Sequence, residues 1–436
     1  MKVKYLFISI LAFLFAGCQD SKTENSGLEL SESTFENVSS NGATLTVEIT
    51  SSDSWVAASS AAWCSLIPEE GAGSQSANIA VGANLNTSER TATIAVTSRG
   101  MKKTITIRQQ AAGNPSTSEG YHYNLPVIFH VLYKDKNDPL QYVSQTRLAQ
   151  ILNVVNNVYK DKTKSVDMNL TFTLATTDES GKALSVPGVE YVQWSGTYPI
   201  DCEAFMQDNS GTYVKYIWDP NQYINVMIYN FTSDPASNTT TLGISHIPYS
   251  TTGSTYLEGL NRTSLTYIDK SNLKYPYCTS INSKFINDQS TATEYKTSDV
   301  TVTLAHELGH YLGLYHAFSE NEDGYFDGCV DSDYCKDTPT YNKVVYDKWL
   351  DMQLAAGVRD LPTLTKRENC ITGQEFTSYN IMDYAISYSD RFTNDQHDRI
   401  RHVLTYSPLI PGPKQGQTGT RTVVEGPLDL PIRTIK

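Results

Sequence analysis

The residues best able to do chemistry lie in HELGHYLGLYH, residues 306–316. His306 and His310 are four apart, so a helix would project both imidazoles from one face, where they can share a metal ion. Glu307 follows on the adjacent strip of that helix, within reach of a water at the metal but not itself a ligand. Gly313 tolerates positive φ, which lets the helix stop and the chain turn. That turn brings His316 back as a third ligand. Three neutral nitrogen donors with a fourth position left open form the donor set of catalytic zinc, whereas structural sites close all four positions. An HExxH pair alone is a modest signal, and Gly313 and His316 at these spacings raise it sharply.

The long pattern HExxHxxGxxH, followed by a methionine-bearing turn in SYNIMDYA at Met382, resembles the metzincin metalloproteases. The stretches GLYHAF, GC, CKDTP, NIMDY and FTNDQHDRIRHVL resemble its pappalysin-like (cytophagalysin) family, from about Leu125 to Leu404. A long insert between Phe318 and Ser378 departs from that pattern. The resemblance implies an α+β metzincin catalytic domain: a twisted sheet, a backing helix and an active-site helix, with a Met-turn lower subdomain. It implies hydrolysis of peptide bonds in a protein or peptide substrate, with Glu307 as general base and Tyr384 as donor to the oxyanion. Met382 would floor the site with apolar contact. LGISHIP (242–248) would be an edge strand along the cleft, its free backbone groups holding an extended substrate and His246 at its rim. Calcium near CKDTP would make Asp337 a candidate Ca2+ ligand, in an acidic loop with Asp323, Asp327, Asp331 and Asp333. A solvated acidic loop fits the same composition.

The elements that must position these residues are legible from hydrophobic period. LPVIFHVLY (125–133) reads as a strand buried on both faces, with His130 a satisfied core histidine. Leu148, Ile151, Leu152, Val155, Val158 and Tyr159 mark one helical face behind a Ser144 N-cap. NLTFTLA, INVMIYN and LTYID read as strands. The zinc helix is expected to start near Thr297 or Ser298 and to pack through Val302, Leu304, Ala305 and Leu308. DKWLDMQLAA reads as a helix in the insert, and Thr393 with Gln396 forms a capping box for the last helix, which buries Ile400, Val403 and Leu404. His397 and His402 are expected on its surface. A catalytic domain over 121–408 is followed by a Pro/Gly-rich, loosely attached tail, 409–436.

The N-terminal part is of another kind. MKVKYLFISILAFLFAGC carries two lysines, an apolar run and small residues before Cys18, which reads as a lipoprotein signal peptide over 1–17. Cys18 is the expected lipidation site and membrane anchor, and Gln19 in place of aspartate points to the outer membrane. A polar tether, 18–27, leads to an all-β sandwich, 28–110, with alternating strands in TLTVEIT, ANIAVGA, TATIAVTS and KTITIRQQ. Trp55, Trp63, Asn86, Arg90 and a terminal I-x-Q resemble a BACON domain. That resemblance implies either glycan or mucin binding or a spacer, and the spacer is favoured because a sandwich tryptophan is usually core. Residues 111–120 are a linker. They hold no cysteine to cap the zinc, though Glu119 could offer a carboxylate.

With 436 residues and 39% hydrophobic content there is material for both domains. The formal net charge of −13 argues against a nucleic-acid partner. Export permits disulfides: Cys370 is expected to close onto the loop of Cys329 and Cys335, leaving one free thiol unless Cys202 and Cys278 join, while Cys64 is a buried free thiol. Two other functions share these features: a zinc hydrolase acting on a non-protein amide such as peptidoglycan, and a surface binding protein with an unused zinc scaffold. Glu307 argues against the second, because binding alone needs no such carboxylate.

Overall fold

The structure is a computed structural model that describes residues 27–40, 42–61, 63–82, 84, 89–111, 121–233, 240–321, 324–414, 424 and 426–436. The signal segment with Cys18, Asn86, Glu119 and Asp323 lie outside the described residues. Among the described residues no helix is long and apolar enough to cross a membrane.

In the N-terminal domain, a four-stranded sheet (Glu29–Leu30, Ala43–Thr50, Gln75–Val81, Cys64–Ile67) faces a five-stranded one (Thr34–Val38, Met101–Gln109, Arg90–Ser98, Ser54–Ser59, Glu70–Ala72). Alternation puts Val47, Ile49, Ile79, Ile94, Val96, Ile105 and Ile107 in the shared core. Trp55 is buried there, its indole N–H donating to Gly73 O at 3.1 Å. Trp63 is half-buried beneath the Arg90 guanidinium, 4.1 Å from the ring centroid. Arg90 also donates to Gln109 Oε1 at 2.7 Å and to Gly82 O at 2.8 Å. Gln109 in turn donates to Ser39 O and Gly82 O, both at 2.9 Å. These residues of the sequence pattern clasp the end of the sandwich. Cys64 is a buried free thiol, its pKa pushed up to about 11 by burial.

The second domain is built on β1 (Tyr123–Tyr133), whose central residues are fully buried because strands or helices cover both faces. It pairs in parallel with β2 (Leu170–Leu174), β3 (Val189–Gln193) and β4 (Ile224–Tyr229). Between β1 and β2 runs α1 (Gln145–Lys160), capped by Ser144 and burying Leu148, Ile151, Leu152, Val155 and Tyr159 as its periodicity predicts. His130 is a satisfied core histidine, bonded to Glu190 at 2.7 Å and Asn225 at 2.9 Å. After the short helix α2 (Cys202–Met206) and β4 come β5 (Gly243–His246), antiparallel, and β6 (Thr279–Asn282), which lies between β4 and β5.

The sequence reading placed a strand at LTYID; that segment is irregular and β6 takes its role. TSIN is polar for an interior strand, yet Thr279 shares a 2.8 Å hydrogen bond with Ser245 and Asn282 accepts from Phe231 N at 3.3 Å. Polar side chains paired in this way are compatible with burial.

The active-site helix α3 (Val300–Tyr311) packs against α1, where the Tyr159 hydroxyl donates to Ala305 O at 3.0 Å. Its cap is Asp299, one residue beyond the expected start, and that carboxylate accepts from Thr301 N at 2.8 Å and Ser290 N at 2.6 Å. The insert contributes α4 (Lys343–Ala355). The expected Thr393–Gln396 capping box opens α5 (Asn394–Tyr406). His397 and His402 lie on α5; His402 is partly covered and its Nε2 donates to Thr255 O at 2.8 Å. A disulfide joins Cys329 to Cys370, while Cys64, Cys202, Cys278 and Cys335 are free and buried.

The described residues of the tail are not loose. Leu409 and Ile410 are buried, and the chain returns past Asn272, whose side-chain amide donates to Val424 O at 2.8 Å and Gly426 O at 2.6 Å. Leu428, Leu430, Ile432 and Ile435 pack on the main core. The segment ends in β7 (Thr434–Ile435), antiparallel to β5. The expected free edge of the sheet is therefore covered by the chain's own residues.

Candidate metal centre

α3 delivers His306 and His310 one turn apart, as their spacing requires. Gly313, at φ +93°, ends the helix, and Gly313 N and Leu314 N return to His310 O and Gly309 O, both at 2.9 Å. Buried Arg399 of α5 fixes the turn by donating to Gly313 O at 3.3 and 3.2 Å. His316 then faces the other two, and all three imidazoles are buried.

Each ring is oriented from behind. His306 Nδ1 donates to Ile381 O at 2.8 Å, His310 Nδ1 to Leu314 O at 2.8 Å, and His316 Nδ1 lies 2.7 Å from Glu320 Oε2. With each Nδ1 carrying the proton, the Nε2 atoms present bare lone pairs. His310 Nε2 is 3.0 Å from His306 Nε2 and 3.2 Å from His316 Nε2. Lone pairs facing one another at such distances repel unless a cation stands between them, and tetrahedral zinc with nitrogen at about 2.05 Å spaces its ligands by about 3.3 Å. Burial pushes the His306 pKa down to about 3 and that of His310 well below its ordinary value, which keeps both neutral as ligands must be. The residues fit zinc.

Met382 is fully buried under α3, and a Cβ on Gly309 would lie 2.5 Å from its sulfur. Gly309 is therefore what lets the Met-turn approach the helix so closely. The same turn supplies the Ile381 carbonyl to His306, and Met382 O accepts from Ala317 N at 3.0 Å.

Glu307 lines a cleft of about 610 Å³ together with His306, Gly243, Tyr384 and Lys436. Its Oε2 has no hydrogen-bond partner, and burial raises its pKa well above the carboxylate range. A Cβ on Gly243 would stand 2.6 Å from Glu307 Oε1, so β5 needs glycine where it passes the carboxylate. The Tyr384 ring lies 4.7 Å from that of His316 and 5.9 Å from that of His306, and its hydroxyl donates to Lys436 O. Burial first, then the neighbouring Glu307, raises the Tyr384 pKa well above its ordinary value, so the phenol keeps its proton.

One expectation changes. His246 is not at a rim: it is buried, its Nε2 donating to Met206 O at 3.0 Å and its Nδ1 accepting from Cys278 N at 3.2 Å. Asp337 is exposed and serves α5, accepting from Asp395 N at 3.1 Å. Among the described residues, the three histidines are the one group of metal-ligating side chains that converges. Sequence reading missed Glu320, the partner of His316. Its signal was faint, a carboxylate four residues beyond the third histidine.

Residues 207–405 match the metallopeptidase family model described as pregnancy-associated plasma protein-A, and residues 53–110 match the BACON model, described as an N-terminal binding domain. Extracellular metalloproteases of Arthroderma benhamiae and Trichophyton verrucosum are each 33% identical over 99 residues, 22% of this chain and 29% of the relative. The chain thus spans less than a third of the length of these relatives. A Bacteroides ovatus GH5 xyloglucanase aligns over 49% of this chain and 58% of its own, at 16% identity and a TM-score of 0.19, too distant to carry an argument. Residues 207–405 are accordingly a pappalysin-like metallopeptidase domain, standing behind a BACON domain at residues 53–110.

Proposed function

We propose that the chain is a zinc-dependent endopeptidase, exported and held at the outer membrane by a lipid on Cys18. The observation that carries the reading is the convergence of three histidine Nε2 atoms, 3.0 and 3.2 Å apart, beside Glu307, whose Oε2 has no hydrogen-bond partner. Bound there, zinc supplies Lewis acidity, lowering the pKa of a water to about 7 and polarising the carbonyl under attack.

Glu307 takes the proton of the attacking water. It then passes that proton to the leaving amine. Tyr384 donates its hydroxyl to the oxyanion; loss of such a donor elsewhere costs on the order of 10²–10³ in kcat. Ile381 O, Leu314 O and Glu320 take the Nδ1 side of His306, His310 and His316, which turns each Nε2 toward the metal position. Met382 and Gly309 keep the floor of the site apolar and close.

The BACON domain is read as a spacer, since Trp55 is core and Trp63 is covered by Arg90. Glycan or mucin binding is the second reading of that domain. The substrate class is tested by incubating the purified chain with a denatured protein mixture and, in parallel, with peptidoglycan. Cleavage of internal peptide bonds in the mixture is expected. Release of fragments from peptidoglycan alone would move the assignment to a hydrolase of non-protein amides.

A further inference from the structure

The edge that an extended substrate would use is occupied by residues 431–436. β7 runs antiparallel to β5, with Ser245 opposite Ile435 and His246 opposite Thr434, and Ile247 N donates to Arg433 O at 3.1 Å. The segment enters under side-chain control. Tyr249 Oη donates to Pro431 O at 2.7 Å, and Arg433 donates to Gly259 O and to Tyr315 Oη, both at 2.9 Å.

It leads to the metal centre. Lys436 lines the same cleft as His306 and Glu307, and Lys436 O accepts from the Tyr384 hydroxyl, the donor assigned to the scissile carbonyl. Alternate side chains of the segment then read Glu203 of α2 and its C-cap residue Gln207. Thr434 Oγ1 accepts from Gln207 Nε2 at 3.2 Å, and the Lys436 ammonium pairs with the Glu203 carboxylate. Two residues of strand advance about 6.8 Å and four residues of helix about 6 Å, so Glu203 and Gln207 match the strand's period.

We propose that residues 431–436 are a built-in pseudosubstrate, and that they report the selectivity of the groove: a basic residue on the acyl side of the cleaved bond, read by Glu203. The proposal rests on reading the cleft as a peptidase site. Backbone pairing with β5 supplies most of the hold and accepts any sequence, while Glu203 ranks what is held. Both members of the Lys436–Glu203 pair are about half exposed, which makes the ranking modest. A tethered segment competes at an effective concentration in the millimolar range, so the chain's own strand masks the groove from dilute peptide.

The test measures binding rather than turnover. A fluorescein-labelled Pro-Ile-Arg-Thr-Ile-Lys peptide is titrated, by anisotropy, against the zinc-loaded chain and against the same chain with residues 431–436 replaced by glycine and serine. At least tenfold tighter binding to the replaced chain is expected. In the replaced chain, changing the peptide's lysine to glutamate should weaken binding two- to fivefold, and Glu203→Lys should reverse that order. Glu203 is exposed, so this variant folds. Should the replaced chain not fold, Arg433→Ala in the intact chain is titrated instead, and tighter binding is again expected. Equal affinity with and without the native segment overturns the pseudosubstrate. Indifference of the ranking to Glu203→Lys overturns the selectivity. Hydrolysis of the protein mixture with no competition from the segment sinks this proposal alone, whereas competition without hydrolysis sinks only the peptidase reading.

Discussion

Single atoms decide whether the three imidazoles act as ligands. A histidine serves zinc only when its other nitrogen has somewhere to leave its proton, and here a helix-end carbonyl, a Met-turn carbonyl and one carboxylate provide those places. The first two are backbone groups that no side-chain substitution removes. Glu320 is different: its side chain is 11% exposed and sits 2.7 Å from His316 Nδ1. Glu320→Ala should weaken zinc affinity about 10–100-fold while leaving the fold intact, as read by competition with a chromophoric chelator. Unchanged affinity would mean that His316 is oriented by the turn alone. The convergence of His306, His310 and His316, and the place of Glu307 beside them, were legible in the sequence because one helix turn and one glycine set them. Glu320 was not, since its role depends on how the loop after His316 folds back.

Elements bring together what spacing cannot. α3 is held from above by α1 through Tyr159 and from below by Met382 beneath Gly309, and its end is gripped by Arg399 of α5. The strands with strong hydrophobic patterns were legible, and so were the caps at Ser144 and Thr393. β6 was hidden because its buried polar side chains satisfy one another, and β7 because a strand of two residues has no period to detect.

The insert between Phe318 and Ser378 buries few apolar residues, with a small core around Phe318, Tyr341 and Tyr346, and is closed by Cys329–Cys370 across 41 residues. Cross-linking a loop of that length is worth about 4 kcal/mol in the chain-entropy account. Cys329→Ser with Cys370→Ser should therefore open the insert to limited proteolysis at temperatures where the parent chain resists. A digestion pattern identical to the parent's would show that the apolar cluster holds the insert without the bond.

Across the whole molecule, stability is tied to pH through buried histidine. Burial holds the His246 pKa down to about 4, from 6.5 when exposed, because a charged ring there would be cut off from water; its backbone contacts with Cys278 and Met206 pull the other way and are outweighed. The unfolded chain takes up the proton first. As pH falls from about 6.5 to about 4 the folded state loses roughly 3 kcal/mol on account of this group, and below that the loss levels off. Urea unfolding across this range should show a shallower pH dependence for His246→Gln than for the parent. Parallel curves would assign the acid sensitivity to other groups.

The same scale explains why the tail was misread: proline and glycine made 409–436 look detached, but its apolar residues return to the core and its last strand closes the sheet. Such a return is set by tertiary packing, which no local pattern encodes.

The central claim is that Glu307 performs hydrolysis at a zinc ion it does not bind. The measurement that tests it most directly pairs zinc content with cleavage of a denatured protein mixture for the parent chain, the chelator-treated chain and Glu307→Ala. The account predicts one zinc per chain and cleavage in the parent, neither after chelation, and full zinc with no cleavage in Glu307→Ala. Undiminished cleavage by zinc-loaded Glu307→Ala would contradict it.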